Sequence, residues 1–136
     1  MFVEIVSPSG RIFSGEVTGV RAPGVEGSFE VLRNHAPMIA AISIGSLVIT
    51  DKSGNPITFA TSGGFVEVSN NTVTVLAETA ELGTAIDVER AQAAEARAVE
   101  ALATTTDPET KARMTKALER ARNRARVSMA QVGRKR

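Results

Sequence analysis

The sequence predicts a β + α protein: an N-terminal β-sandwich or flattened barrel followed by a C-terminal antiparallel two-helix hairpin. Two observations carry this. Up to about Thr79, short runs such as FVEIVS and TVTVLAET alternate apolar and polar residues, and glycines punctuate them. Period-two alternation is a strand signal, and many short strands at even spacing suit a sandwich or barrel. After Glu81-Leu82-Gly83 the character switches, and Asp87 to Ala103 is crowded with alanine and holds no Gly or Pro, the composition of a helix. The predicted domains are residues 1–83 and residues 84–136.

Taken in order, FVEIVS opens as a strand and SPSG turns it. RIFSGEVTGVRAPG reads as a short strand followed by a longer one. SFEVL and PMIAAI come next, with Asn34-His35-Ala36-Pro37 between them. SLVIT and PITFAT form a hairpin around DKSGN, where Gly54 can supply the positive φ that such turns need. SGGFVEVS and TVTVLAET form another around Asn70-Asn71, and Ser62-Gly63-Gly64 is read as a strand bend.

Asp87 is a good helix cap, because its carboxylate can accept an orphan backbone N–H of the first turn. TTTDP interrupts the helical pattern. Asp107 can cap and Pro108 can open a second helix, predicted to reach about Val132 before Gly133. Met114, Leu118, Ala121 and Ala125 recur at helical spacing and make an apolar seam, faced by Ala91, Ala94, Ala98 and Leu102. Small side chains allow close approach but bury little area, at roughly 25 cal/mol per Å². The hairpin is expected to be weakly held and able to open.

Composition removes several function classes. There is no cysteine, so neither a disulfide framework nor a thiolate metal site is possible, and the single histidine, His35, excludes a histidine cluster. No metal site is expected. MFVEIVSPSG lacks the charged start and apolar run of a signal peptide, and APMIAAISIG is too short to span a bilayer. A soluble, intracellular chain is expected. No G-x-x-x-x-G-K-[ST] loop is present, and no Ser/His/Asp set is suggested, so the chain is not expected to be an enzyme.

Charge is unevenly spread. Residues 1–77 net −2, residues 78–107 net −5, and residues 108–136 net +8. Within the hairpin, a bend at about Thr105-Thr106 sets Asp87 level with Arg124 and Arg90 level with Arg120 or Ala121. Arg97 then falls about two turns nearer the bend. Arg120 and Arg124 are an i, i+4 like-charge pair with no acid three or four residues away on their own helix. Converging guanidiniums suit phosphate oxygens, which accept bidentate bonds from their planar forks. Equally, the acidic first helix can simply neutralise the basic second one. A rival class is a nucleic-acid-binding protein using RARNRAR for phosphate contacts. The acidic first helix, the near-neutral whole and the scarcity of aromatics (4%, no Trp or Tyr) count against it.

The order of motifs points further. VEIVSPSG, EGSFEVLRNHAPMIAAISIG, FATSGGFVEVSNNTVTVLAETAE, AIDVERA and ALERARNRARVS follow one another along the chain. Over essentially its whole length the sequence resembles the epsilon subunit of rotary ATP synthases (delta in mitochondrial naming). It departs from that family in having Arg33-Asn34 where Pro-Gly usually precedes the histidine, and in a more polar stretch from Ser28 to Arg33.

The resemblance implies a ten-stranded sandwich docked on the gamma subunit and the membrane ring of c subunits, with Glu30, Asn34 and His35 among the contacts, followed by a regulatory hairpin. It implies a non-catalytic central-stalk rotor subunit that couples the catalytic head to the ring. The family's ATP-binding signature, Ile/Leu-Asp-x-x-Arg-Ala with further arginines and an upstream glutamate, is matched by Ile86, Asp87, Arg90 and Ala91, by Arg97, Arg120 and Arg124, and by Glu81. ATP is thus expected as a regulatory ligand, with no required cofactor. In an extended state, Arg113, Lys116, Arg122 and Arg126 would contact the catalytic beta subunits and inhibit hydrolysis. The resemblance further implies a peripheral position on the cytoplasmic face of a bacterial plasma membrane rather than the stromal face of a thylakoid. No bilayer insertion and no nucleic-acid partner are expected.

Overall fold

A computed structural model describes residues 1–134. Nine strands precede two helices: β1 (Phe2–Ser7), β2 (Gly10–Gly24), β3 (Gly27–Leu32), β4 (Met38–Ile42), β5 (Gly45–Asp51), β6 (Pro56–Thr61), β7 (Gly64–Ser69), β8 (Thr72–Ala77) and β9 (Ala80–Leu82). A 3-10 turn at Gly83–Ala85 leads to α1 (Val88–Thr104) and α2 (Pro108–Arg134). The chain divides into two compact units, Met1–Leu82 and Gly83–Arg136.

In the first unit the strands follow the order β1-β8-β7-β4-β2-β5-β6-β9, with β3 on β2 and a further pairing of β1 with β2. The ladder β1-β8-β7-β4-β2 thereby returns to β1, as a flattened barrel requires. β2 makes this possible. It is one 15-residue strand where the sequence suggested two. Its first half pairs with β1 through residues such as Ser14 and Phe13. Its second half pairs with β3 and β5. A register shift between Val17 and Gly19 in the β5 ladder lets the strand bend from one sheet to the other. The unit has nine strands where the resemblance implied ten, with β2 running unbroken from the β1 ladder to those of β3 and β5. β1 and β8 run parallel, Val3 opposite Val73 and Ile5 opposite Val75.

Alternation fills the interior. Val3, Ile5, Val20, Val31, Leu47, Ile49, Val66, Val68, Val73 and Val75 are buried in one cluster, with Phe13 meeting Phe59 edge to face at 5.9 Å. The turns hold by local chemistry. Asn70 and Asn71 both have positive φ (51° and 58°), the geometry of a type I′ hairpin turn. Gly54 has φ 85° as its hairpin demands. Gly63 and Gly64, at φ 119° and 139°, form the bend into β7, and a Cβ on Gly64 would meet the Leu76 carbonyl. β9 was not visible in the sequence, since Ala80-Glu81-Leu82 is too short to alternate. It is recruited by β6, Phe59 opposite Leu82.

In the second unit, Asp87 caps α1, its carboxylate accepting the Arg90 N–H at 3.2 Å. Asp107 caps α2, accepting the Thr110 N–H at 3.2 Å and the Thr110 hydroxyl at 2.6 Å. α2 continues through Gly133 to Arg134 instead of stopping at Val132. A glycine in a helix costs only about 1 kcal/mol relative to alanine and does not by itself end one.

Candidate functional site: an arginine-lined side of a helical hairpin

The seam between α1 and α2 is built from small residues. Ala91, Ala98, Ala121 and Ala125 are buried, and Ala94, Leu102, Met114 and Leu118 are half-buried. Its register differs from the one counted from a bend at Thr105-Thr106. The Ser128 hydroxyl meets the Ile86 carbonyl at 3.4 Å, and Arg122 pairs with Glu95 at 3.2 Å. Arg90, four residues along from Ile86, is therefore level with Arg124, four residues back from Ser128. Arg97 is seven residues beyond Arg90 and Arg120 four before Arg124, so those two fall within about 4.5 Å of each other along the axis at 1.5 Å per residue. Part of the shift is geometric. Helical side chains lean toward their own N-termini, so each contact is made by residues about one position further along than the backbone level.

The arginines share one flank. Arg90 and Arg97 each precede a seam alanine, Ala91 and Ala98, and Arg120 and Arg124 each precede another, Ala121 and Ala125. In an antiparallel pair, positions one step before the seam on both helices lie on the same side of it. Four guanidinium-bearing residues thus line one side. Arg90, Arg97 and Arg120 are exposed and Arg124 is half-buried. Asp87 is exposed beside them, Ile86 is buried, and Ala91 is fully buried, so its methyl group serves the seam. Glu81 lies in the other unit, half-buried on β9 opposite Ala60 of β6.

On the opposite flank the structure adds a pair that the sequence did not reveal. Arg122, expected to meet the catalytic subunits in an extended state, is here engaged with Glu95 of α1. The two are 27 residues apart, and only the corrected register brings them together. Arg113, Lys116 and Arg126 are exposed along α2. Among the described residues no cluster of three His, Cys, Asp or Glu is placed to hold a metal ion, and no helix is long and apolar enough to cross a membrane.

The loop before β4 carries the remaining expected contacts. Asn34 adopts φ 63°, so this asparagine takes the left-handed backbone that glycine would otherwise supply. Its N–H is held by Asn71 Oδ1 at 3.0 Å, which ties the loop to the β7–β8 turn. His35 is half-buried, with Nδ1 2.8 Å from the Ala36 carbonyl oxygen. Glu30 is exposed on β3 opposite Arg21. Elsewhere on this unit, Phe65 and Leu76 are cross-strand partners and remain exposed. With Val6 and Pro8 they line an open apolar cleft of about 370 Å³, edged by Ser7 and Glu78.

Comparison with known proteins agrees with this architecture. The family model described as the ATP synthase delta/epsilon chain beta-sandwich domain matches residues 1–83. That of the same chain's long alpha-helix domain matches residues 85–129. The ATP synthase epsilon chain of Salinibacter ruber is 57% identical over 104 residues, covering 71% of this chain and 70% of that one. That of Syntrophomonas wolfei is 43% identical over 126 residues, covering 93% and 92%. A chain in the Euglena gracilis mitochondrial ATP synthase structure shares the fold with a TM-score of 0.79 at 22% identity, over 89% of this chain and 76% of that one. A chain in the Tetrahymena thermophila mitochondrial ATP synthase central stalk and c-ring structure does so at 0.60 and 15%, over 94% and 96%. An alternating sandwich, a capped alanine-seamed hairpin, the two family models and these relatives lead to one assignment: the chain belongs to the ATP synthase delta/epsilon family, among the epsilon chains.

Proposed function

We propose that this chain is a non-catalytic subunit of the central stalk of an ATP synthase, coupling the catalytic head to the membrane ring, and that its hairpin is an ATP-sensitive regulator of hydrolysis. The observation that carries the regulatory part is the common flank of Arg90, Arg97, Arg120 and Arg124. Four guanidiniums drawn from two helices favour a polyanion that touches both, because charge-assisted bonds to phosphate are strong and directional. Such a ligand holds α1 and α2 together. Glu81, Ile86, Asp87 and Ala91 complete the family's ATP signature.

The sandwich unit is the docking part. Its open apolar cleft at Phe65 and Leu76 suits the gamma subunit, and the Asn34-His35 loop with Glu30 suits the gamma subunit or the ring of c subunits. On this reading the chain is a peripheral component on the cytoplasmic face of a bacterial plasma membrane. When the hairpin opens, the cationic residues of α2 (Arg113, Lys116, Arg122, Arg126) become available to the acidic surface of the catalytic beta subunits and slow hydrolysis. ATP shifts the balance only by its greater affinity for the folded hairpin.

Calorimetric titration of the isolated chain with ATP and ADP tests the reading. ATP is expected to bind more tightly than ADP. Arg90→Ala and Arg124→Ala should each weaken ATP binding by roughly tenfold or more, since a hydrogen bond to a charged group contributes about 1.5–3 kcal/mol. Unchanged affinity in both variants returns the flank to an ordinary solvated helix surface.

A further inference from the structure

We infer that Ser128 is a positioning residue for the nucleotide flank, setting the axial register at which the arginines of the two helices meet. The inference rests on the ATP reading above and adds a residue outside the family signature. Ser128 is only 7% exposed, and its hydroxyl donates to the Ile86 carbonyl at 3.4 Å. That carbonyl is a special one. Ile86 precedes the cap Asp87, so its C=O stands outside the hydrogen-bond ladder of α1, and Ile86 itself is buried. A buried carbonyl without a partner is costly. A serine inside a helix ordinarily turns its hydroxyl to its own preceding turn. Here it reaches across to the start of the other helix.

The alanines that flank the arginines do not supply this registration by themselves. Ala91, Ala98, Ala121 and Ala125 present only methyl groups, and methyl packs on methyl at more than one axial offset. A slip of one turn would carry Arg124 about 5.4 Å along the axis from Arg90. The Ser128–Ile86 bond is directional and exists at one offset. It acts next to Asp87, whose carboxylate already fixes the Arg90 N–H. Helix end, cap and first arginine are thereby located by one hydroxyl on α2.

The test uses the full chain with Ser128→Thr and Ser128→Val, a pair of near-equal volume that differs in the hydroxyl. Two quantities are measured: amide hydrogen exchange at Arg90 and Ala91 without nucleotide, and calorimetric affinity for ATP. The threonine variant should keep both near wild type. The valine variant should exchange faster at those amides and bind ATP about three- to tenfold more weakly, the factor a single net hydrogen bond carries. Equal exchange and equal affinity in the two variants, in a chain whose wild type binds ATP, overturns the role of Ser128 alone. A wild type that gives no ATP heat overturns the nucleotide reading instead.

Discussion

The two units bury different things. In Met1–Leu82 the largest fully buried side chains are Ile5, Leu47, Ile49 and a set of valines. In the helical unit the seam is mostly alanine, with a 3.4 Å hydroxyl bond and an ion pair at its edge. Each buried leucine or isoleucine is worth about 1.5–3 kcal/mol of apolar transfer, and an alanine methyl about 0.8 kcal/mol. The sandwich is therefore a scaffold, while the hairpin is an element whose folded population a ligand of ordinary affinity can move. On the proposed function, stability sits where docking needs rigidity and is withheld where regulation needs change.

The strongest way to break this comparison is to hollow the scaffold. Leu47, fully buried in β5, truncated as Leu47→Ala should cost about 2–5 kcal/mol, read as a lower urea midpoint. If that substitution costs no more than a seam alanine does, the division of labour fails. Next comes the seam. Ala91→Leu inserts bulk at a position with 0% exposure and should destabilise the closed hairpin by about 1–3 kcal/mol. Amide exchange should rise across α1 and α2 while the β-strand amides stay protected. Global unfolding without such selectivity would show that the two units melt as one.

Smaller effects sharpen the picture. Glu95→Gln removes the partner of Arg122, and because both side chains are substantially exposed (34% and 54%) the loss should be at most about 1 kcal/mol and should vanish in high salt. If the open state is the inhibitory one, this variant should inhibit reconstituted hydrolysis more than wild type, since Arg122 is then released.

The smallest change concerns the cap of α2. The Thr110 hydroxyl and N–H hold the Asp107 carboxyl below the usual aspartate value, which is about 3.9. A depressed folded-state pKa stabilises fully above the unfolded value and is lost as pH falls through the folded one. Helicity should thus hold to about pH 4 and decline below it. Asp107→Ala should remove that step, a change visible by circular dichroism.

These contrasts also explain what the sequence could disclose. Strands that alternate against one core, such as Val66-Glu67-Val68 and Val73-Thr74-Val75, announce themselves, and so do Asp87 and Asp107 as caps. β9 did not, because its three residues have no period and owe their conformation to β6. Gly15 and Gly19 disguised β2 as two strands, since glycine reads as punctuation even where a long strand must bend. In the hairpin, the residues of the arginine flank were legible one by one. Their register was not, because the alanine methyl groups beside the arginines carry little offset information. Ser128 and the Glu95–Arg122 pair, which do carry it, are far from their partners along the chain.

The parallel pairing of β1 with β8 has a consequence for how the molecule is made. Residues near position 3 must find residues near position 73, so closing the barrel requires a loop of about 70 residues, an entropic cost that falls on folding speed rather than on final stability. The hairpin, by contrast, joins neighbours in the chain through a three-residue connection. During synthesis the first strand therefore waits, unpaired along one edge, until the eighth has been made. The unit that resists unfolding most is the slower to assemble, and the one that yields most easily is the faster to form.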